Sequence, residues 1–166
     1  MILGMSISTF TLVHVILSLI GIFSGAIVLF AMFSSKRFPG WTAVFLTTTV
    51  LTSVTGFFFP ADHLLPSHIV GVISLLVLAV AILALYVYWL AGAWRRIYVV
   101  SATVALYLNV FVGVVQAFQK LPFLKPLAPT QSEPPFFITQ LVVLALFVVV
   151  TVVAAIRFHS EQHRAA

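Results

Sequence analysis

The sequence predicts an all-α, polytopic membrane protein built as a bundle of five transmembrane helices. Of its 166 residues, 63% are hydrophobic and only 7% are charged. The mean hydropathy of +1.24 is far above that of a soluble domain. Five apolar segments meet the length of roughly 20 residues that a helix needs to cross a bilayer. They cover residues 9–33, 41–59, 69–91, 97–118 and 136–157, approximately.

Each of these segments is expected to be a helix, because backbone groups in lipid must be hydrogen-bonded within their own segment. A membrane-spanning strand would alternate apolar and polar residues, and stretches such as Leu141–Val150 do not alternate. The connections are too short to contain a soluble domain. Residues 1–166 are therefore predicted to form a single transmembrane helical domain in contact with the lipid bilayer.

The distribution of basic residues predicts the orientation. With five crossings, six of the eight Lys and Arg residues lie on one side and only Lys120 and Lys125 on the other. Basic residues favour cytoplasmic connections, so we expect the N-terminus outside, the C-terminus inside and a location in a bacterial inner membrane. Tryptophan is enriched at membrane interfaces, and all three tryptophans fall at the same predicted boundary as the six basic residues. These are Trp41, Trp89 and Trp94.

Two classes of function are excluded by composition. The net charge of +5 is divided among several connections and forms no contiguous patch, so no nucleic-acid partner is expected. The absence of cysteine excludes disulfides, thiolate metal ligands and cysteine nucleophiles. Residues 1–10 contain no basic residue, so a cleaved signal peptide is not expected.

One face of the first helix carries a histidine above small residues. His14, Ser18, Gly21 and Gly25 follow one another at spacings of four, three and four, which places them on a single face. The small-xxx-small pattern of Gly21 and Gly25 lets another helix approach closely or leaves room for a flat ligand. We therefore expect His14 to face the bundle interior, in its outer half.

The fourth helix carries a matching polar stripe, formed by Asn109, Gly113 and Gln116. An amide side chain in hydrocarbon is costly unless it is paired, so both amides are expected to face the interior. The connection between the second and third helices adds Asp62, His63 and His68 at the same predicted end. Ser67 is the expected N-cap of the third helix.

These positions favour a cofactor site near the outer face. His14 and His68 project from different helices at similar depth, and two neutral imidazoles above glycine faces suit the axial ligation of one b-type haem. Its predicted surroundings include Gly21, Gly25, Asn109, Gly113 and Gln116. Lys120 or Lys125 would neutralise a propionate.

On these residues the chain resembles the small bacterial cytochrome b-like polytopic membrane proteins. The resemblance rests on His14 with Gly21 and Gly25, and on Ser67–Gly71. It implies electron transfer with quinone or a membrane redox partner, or the sensing or delivery of haem. No histidine lies in an inner-half helix position, so one haem at most is expected.

Two other interpretations stay open. His14, His63 and His68 with Asp62 would suit a copper or zinc site in a metal-handling or oxidase-assembly factor. Alternatively, the polar pocket takes a small solute or a lipid head group, or the chain is a structural subunit of a larger complex or a homo-oligomer. The proline-rich segment 121–135 is either a lid over the pocket or a plain connector.

Overall fold

The computed structural model describes residues 1–60 and 66–159 of the chain. It is all-helical, with 79% of the described residues in helices and no strand among them. The prediction of an all-α fold with five helices is confirmed. Four helices begin and end within three residues of their predicted bounds, whereas the third ends at Ile82 and not at the predicted residue 91, because a π-helical turn and a reversal of the chain follow it. The five helices are α1 (Ile7–Phe33), α2 (Pro39–Gly56), α3 (Pro66–Ile82), α4 (Trp94–Lys120) and α5 (Pro134–Arg157).

Four of the helical segments are long and apolar enough to cross a membrane, which makes this a multi-pass membrane protein. They are Ile7–Phe33, Pro66–Val87, Trp94–Lys120 and Pro134–Arg157. Helix α2 is shorter, with 18 residues, and its threonines make it less apolar. At about 1.5 Å per residue it is roughly 27 Å long, close to the ~30 Å hydrocarbon core. The four predicted crossings outside α2 therefore agree with the structure in length and composition.

Capping and proline residues determine where the helices begin. The Ser6 hydroxyl caps α1 by accepting a hydrogen bond from the backbone N–H three residues later, at 3.1 Å. Pro39, Pro66 and Pro134 each stand first in their helix, where the missing N–H costs nothing. Ser67 was predicted as the N-cap of α3, and this is corrected: because α3 already begins at Pro66, Ser67 lies inside its first turn.

Helix α2 runs antiparallel to α1 along its length. Near the start of α1, Phe10 and His14 both pack edge-on against Phe59, which follows α2. Further along, Phe23 packs against Trp41 at the beginning of α2. The N-terminus of α1 and the C-terminus of α2 therefore lie at the same end of the bundle.

The other end of the bundle gathers the basic residues. The Ser35 hydroxyl, after α1, donates to the backbone carbonyl of His159 at 3.0 Å, and the Arg95 guanidinium donates to the carbonyl of Phe158. The ends of α1 and α5 thus meet the start of α4. We call this the basic end; it carries Lys36, Arg37, Arg95, Arg96 and Arg157. The opposite end, which holds residues 121–133, is called the proline-rich end.

A π-helical turn, Leu83–Val87, continues α3 toward the basic end and is followed by a tight reversal. Trp89 and Leu90 adopt positive φ values of 51° and 61° in this reversal. Leu90 is thereby directed into the core, where only 1% of its surface is exposed. The rings of Tyr88 and Trp94 stack beside it with centroids 3.8 Å apart.

The apolar core lies between α1, α2, α3 and α4, and α5 packs on its outside. Phe45, Leu78 and Val99 each have at most 1% of their surface exposed. In α5, by contrast, only 6% of the residues in the most apolar window are buried. Ala154 and Gln140 are its buried contacts with the other helices.

Candidate functional site

The most informative polar contact joins α1 to α2 at the proline-rich end. The His14 Nδ1 atom lies 2.8 Å from the hydroxyl oxygen of Thr55. That hydroxyl donates its single proton to the backbone carbonyl of Leu51, at 2.7 Å. This arrangement leaves the Thr55 oxygen to accept from His14, and on that basis we assign the ring proton to Nδ1. In a neutral ring, the lone pair that remains available belongs to Nε2.

The second ring nitrogen of His14, Nε2, belongs to a partly exposed side chain. The His14 ring rests edge-on against Phe59, with centroids 5.2 Å apart. Within the described part of the chain, Nε2 has no hydrogen-bond partner, and the atom is not fully buried. With the ring proton assigned to Nδ1, Nε2 is an acceptor nitrogen beside the aromatic ring of Phe59, where a ligand could bind it.

A positive charge lies near this ring. Among the described residues, the charge that acts on His14 is that of Lys120, the last residue of α4. An ammonium group here disfavours a second cation and favours an oxygen atom that carries negative or partial negative charge.

His68 packs against a different aromatic ring from His14. Its imidazole stacks on Phe57, with centroids 5.7 Å apart and an interplanar angle of 13°. The same Phe57 ring covers Gly71, one turn along α3, where an added Cβ would lie 3.0 Å from the ring. The aromatic neighbour of His68 is thus Phe57, whereas that of His14 is Phe59. Asp62 and His63, the other predicted ligands, lie outside the described residues.

The predicted interior face of α1 forms a second polar contact deeper in the bundle. The Ser18 hydroxyl donates to the Asn109 side-chain oxygen at 2.8 Å, which joins α1 to α4. Asn109 is 8% exposed, as expected for an amide that faces the interior. At Gly21, an added Cβ would lie 2.9 Å from the Asn109 nitrogen and 3.1 Å from the Thr49 hydroxyl. Three helices meet at this glycine.

Gly21 and Gly25 are closely packed. Their small-xxx-small pattern predicts either the close approach of another helix or room for a flat ligand. At Gly25, an added Cβ would lie 2.6 Å from Leu106 and 2.9 Å from the Phe45 ring. Side chains of α2 and α4 thus occupy the space beside these glycines, which favours the close approach of helices at this face. Haem ligation by His14 and His68 stays a prediction.

The remaining predicted residues have other surroundings. Gly113 faces α1, where an added Cβ would meet Ile22 at an ordinary distance of 3.7 Å. Gln116, which is expected in the pocket, directs its amide to Gln119 on its own helix, at a long 3.4 Å. Because Gln119 in turn contacts Gln131, this amide belongs to the attachment of the connection between α4 and α5.

That connection is held against the end of α4. The Gln131 amide donates to the backbone carbonyl of Val115 at 3.0 Å, and Ala128 is only 1% exposed. A short 3₁₀ turn, Lys125–Leu127, lies between its prolines. These contacts suit a fixed connector, and the role of a lid stays a prediction.

Thr55 contacts His14 but is not among the site residues predicted from the sequence. A threonine hydroxyl readily bonds to its own helix, so the threonines of α2 by themselves indicate packing and not a site. Thr55 forms such a bond and still accepts from His14, since a hydroxyl oxygen has two lone pairs. Its spacing from Thr48 and Thr52 on one face was the available signal.

Within residues 1–60 and 66–159, no three His, Asp or Glu side chains come together as a metal site. No protein-family model matches the chain, and neither a curated protein nor a solved structure matches it significantly. The resemblance to cytochrome b-like proteins therefore stays a prediction.

Proposed function

We propose that this protein is a five-crossing protein of a bacterial inner membrane that binds a quinol head group at His14. The topology is supported by α2, which lies antiparallel beside α1 and satisfies its own hydroxyls. Thr48, Thr52 and Thr55 each donate to the carbonyl four residues earlier, at 2.7–2.8 Å. A helix whose polar groups are paired in this way is compatible with lipid.

The orientation is N-terminus outside and C-terminus inside, because the basic end then faces the cytoplasm. Reporters that are active on only one side of the membrane test this when fused to each terminus in turn. Five crossings place the termini on opposite sides, with the C-terminus cytoplasmic. Termini on the same side would mean that α2 does not cross, and an external C-terminus would reverse the orientation.

The observation that carries the ligand proposal is the 2.8 Å contact between His14 Nδ1 and the Thr55 hydroxyl, from which the tautomer is assigned. A neutral Nε2 with a lone pair accepts a hydrogen bond, and a quinol offers a phenolic hydroxyl to donate. The second oxygen of the same ring is a partner for the Lys120 ammonium group. Phe59 adds an aromatic surface against which a planar ring can pack. Quinols dissolve in the bilayer and can approach a partly exposed ring on a membrane helix.

The rival ligands are less well supported. A bare copper or zinc ion at His14 would be repelled by Lys120. A porphyrin is larger than a quinol and finds the glycine faces already filled. The electron-transfer and haem-handling roles, like a metal role that includes His63, stay predictions.

Binding of a short-chain ubiquinol to the purified protein tests the proposal. Loss of one accepted hydrogen bond in His14→Ala should weaken binding by about 1 kcal/mol, or about fivefold in Kd. Gln116→Leu is the matched control, because Gln116 lies at the same end and is paired with Gln119. The corresponding ubiquinone should bind more weakly than the quinol, since it cannot donate to Nε2.

Haemin and copper or zinc salts provide the contrasting titrations. Equal quinol affinity in wild type and His14→Ala would overturn the proposal. So would a Soret band that forms with haemin in wild type and is lost in His14→Ala, since it would assign His14 to haem instead.

A further inference from the structure

A second candidate binding surface lies on the outside of the bundle, between α3 and α4, at the basic end. It is an open apolar groove of about 400 Å³. Its walls are Val77 and Val80 on α3 and Val100 and Val104 on α4. Ser101 also lines it, but the hydroxyl is bonded to the Ile97 carbonyl at 2.7 Å, so the groove has an apolar surface.

The dimensions of the groove match one leaflet of a membrane. On α4 it extends from Arg96 to Val104, and at a rise of about 1.5 Å per residue these two positions are roughly 12 Å apart along the helix. Half of the hydrocarbon core is about 15 Å. Because both helices have the length and composition of membrane spans, the groove opens toward the acyl chains of that leaflet.

Arg96 gives the groove a charged end. Its side chain is exposed and lines the groove, and within the described residues it has no hydrogen-bond partner. The neighbouring Arg95 is already engaged with the Phe158 carbonyl. Trp94 precedes Arg96 by two residues, and its ring stacks on that of Tyr88. Aromatic residues of this kind are enriched at the level of the lipid head groups. A guanidinium at this depth is suited to bind a phosphate with two parallel hydrogen bonds.

We infer that this groove is a binding site for an anionic phospholipid. One acyl chain lies along the valine-lined groove, and the phosphate binds Arg96 at the membrane surface. Charge complementarity favours an anionic lipid over a zwitterionic one, because the basic end also contributes Lys36, Arg37 and Arg157 to the local potential.

Native mass spectrometry of the detergent-purified protein tests this site. The protein is titrated with phosphatidylglycerol or with phosphatidylcholine of identical acyl chains. Wild type should retain phosphatidylglycerol about fivefold better, the preference expected from one interfacial arginine. Arg96→Gln should remove the preference, whereas Lys125→Gln, at the proline-rich end, should keep it.

A second pair of variants tests the groove itself. Val100→Trp fills it and should reduce retention of both lipids, while Val149→Trp, on an exposed position of α5, should not. Val80→Trp fills the groove from the α3 wall and replaces Val100→Trp should that variant fail to fold.

Equal retention of the two lipids by wild type, or an unchanged preference in Arg96→Gln, would overturn the assignment to an anionic lipid. A dimer that is present in wild type and lost in Val100→Trp, without a change in lipid retention, would overturn it in favour of a second copy of the chain.

Discussion

Ser18 and Asn109 connect the first and fourth helices across 91 positions of sequence by a partly buried hydrogen bond of 2.8 Å. The Asn109 amide also approaches the backbone carbonyl of Ser18, at 3.4 Å. Both contacts lie next to Gly21, where the absence of a side chain lets the amide approach α1. The pair therefore fixes the position of α4 relative to α1 in the half of the bundle that contains His14.

A double-mutant cycle measures this connection. Ser18→Ala, Asn109→Leu and the double variant should give a coupling free energy of unfolding of about 0.6 kcal/mol, and at most about 1.7 kcal/mol, the range for polar pairs between membrane helices. Reversible denaturation in detergent provides the measurement. Strictly additive effects would mean that the two side chains do not interact.

Two glycines provide a matched test of the packing. Gly21→Ala should destabilise the protein by about 1–3 kcal/mol, because the new methyl group would lie 2.9 Å from Asn109. Gly113→Ala should be neutral or stabilise by up to about 1 kcal/mol, because its methyl group would meet Ile22 at 3.7 Å. Thermal unfolding of both variants is the measurement, and equal shifts would contradict the described contacts.

The ring of His14 should show a single tautomer. Nitrogen-15 NMR of the labelled protein should find Nδ1 protonated and Nε2 unprotonated at a pH where the ring is neutral. In Thr55→Val the acceptor is lost, so the two tautomers should mix. The opposite tautomer in wild type would remove the basis of the quinol proposal without bearing on the lipid groove.

Glu133, at the start of α5, should make the proline-rich connection sensitive to acid. Desolvation acts to raise the pKa of its carboxyl, but hydrogen bonds outweigh it and lower the pKa below its usual value. They come from the Thr130 hydroxyl at 2.8 Å and from the backbone N–H groups of Thr130 and Ser132. The carboxylate therefore stabilises this turn above the ordinary glutamate pKa, and the effect is lost as the pH falls through the lowered value.

Amide exchange at Ser132, corrected for the intrinsic effect of pH, measures this. The protection of the Ser132 amide should decrease only at pH values below the usual titration range of a glutamate. Glu133→Gln should abolish this dependence on pH. Protection that is unaffected by the substitution would contradict the assignment.

The helices could be predicted because a long apolar segment is a local property of the sequence. The site could not be predicted in the same way, because it depends on distances between side chains of different helices. Apolar length predicted the bounds of α1, α2, α4 and α5 to within three residues, and the helical faces of Ser18 and Asn109 predicted that both face inward. What fills the space over Gly25 could not be predicted, since a small residue equally suits a ligand or a close helix. The structure places Leu106 and Phe45 there. Likewise, the partner of Gln116 depends on how the connection folds back on α4.

The sparse burial of α5 bears on the order in which the protein assembles. Helices enter the membrane as the chain is synthesised, and α1 to α4 already contain nearly all of the core, including Phe45, Leu78 and Val99. Only Ala154 and Gln140 of α5 are buried. The first four helices can therefore pack before the last one is made. Helix α5 then packs on the outside of this bundle. The Arg95 guanidinium donates a hydrogen bond to the Phe158 carbonyl, which attaches the C-terminal end of α5 to α4.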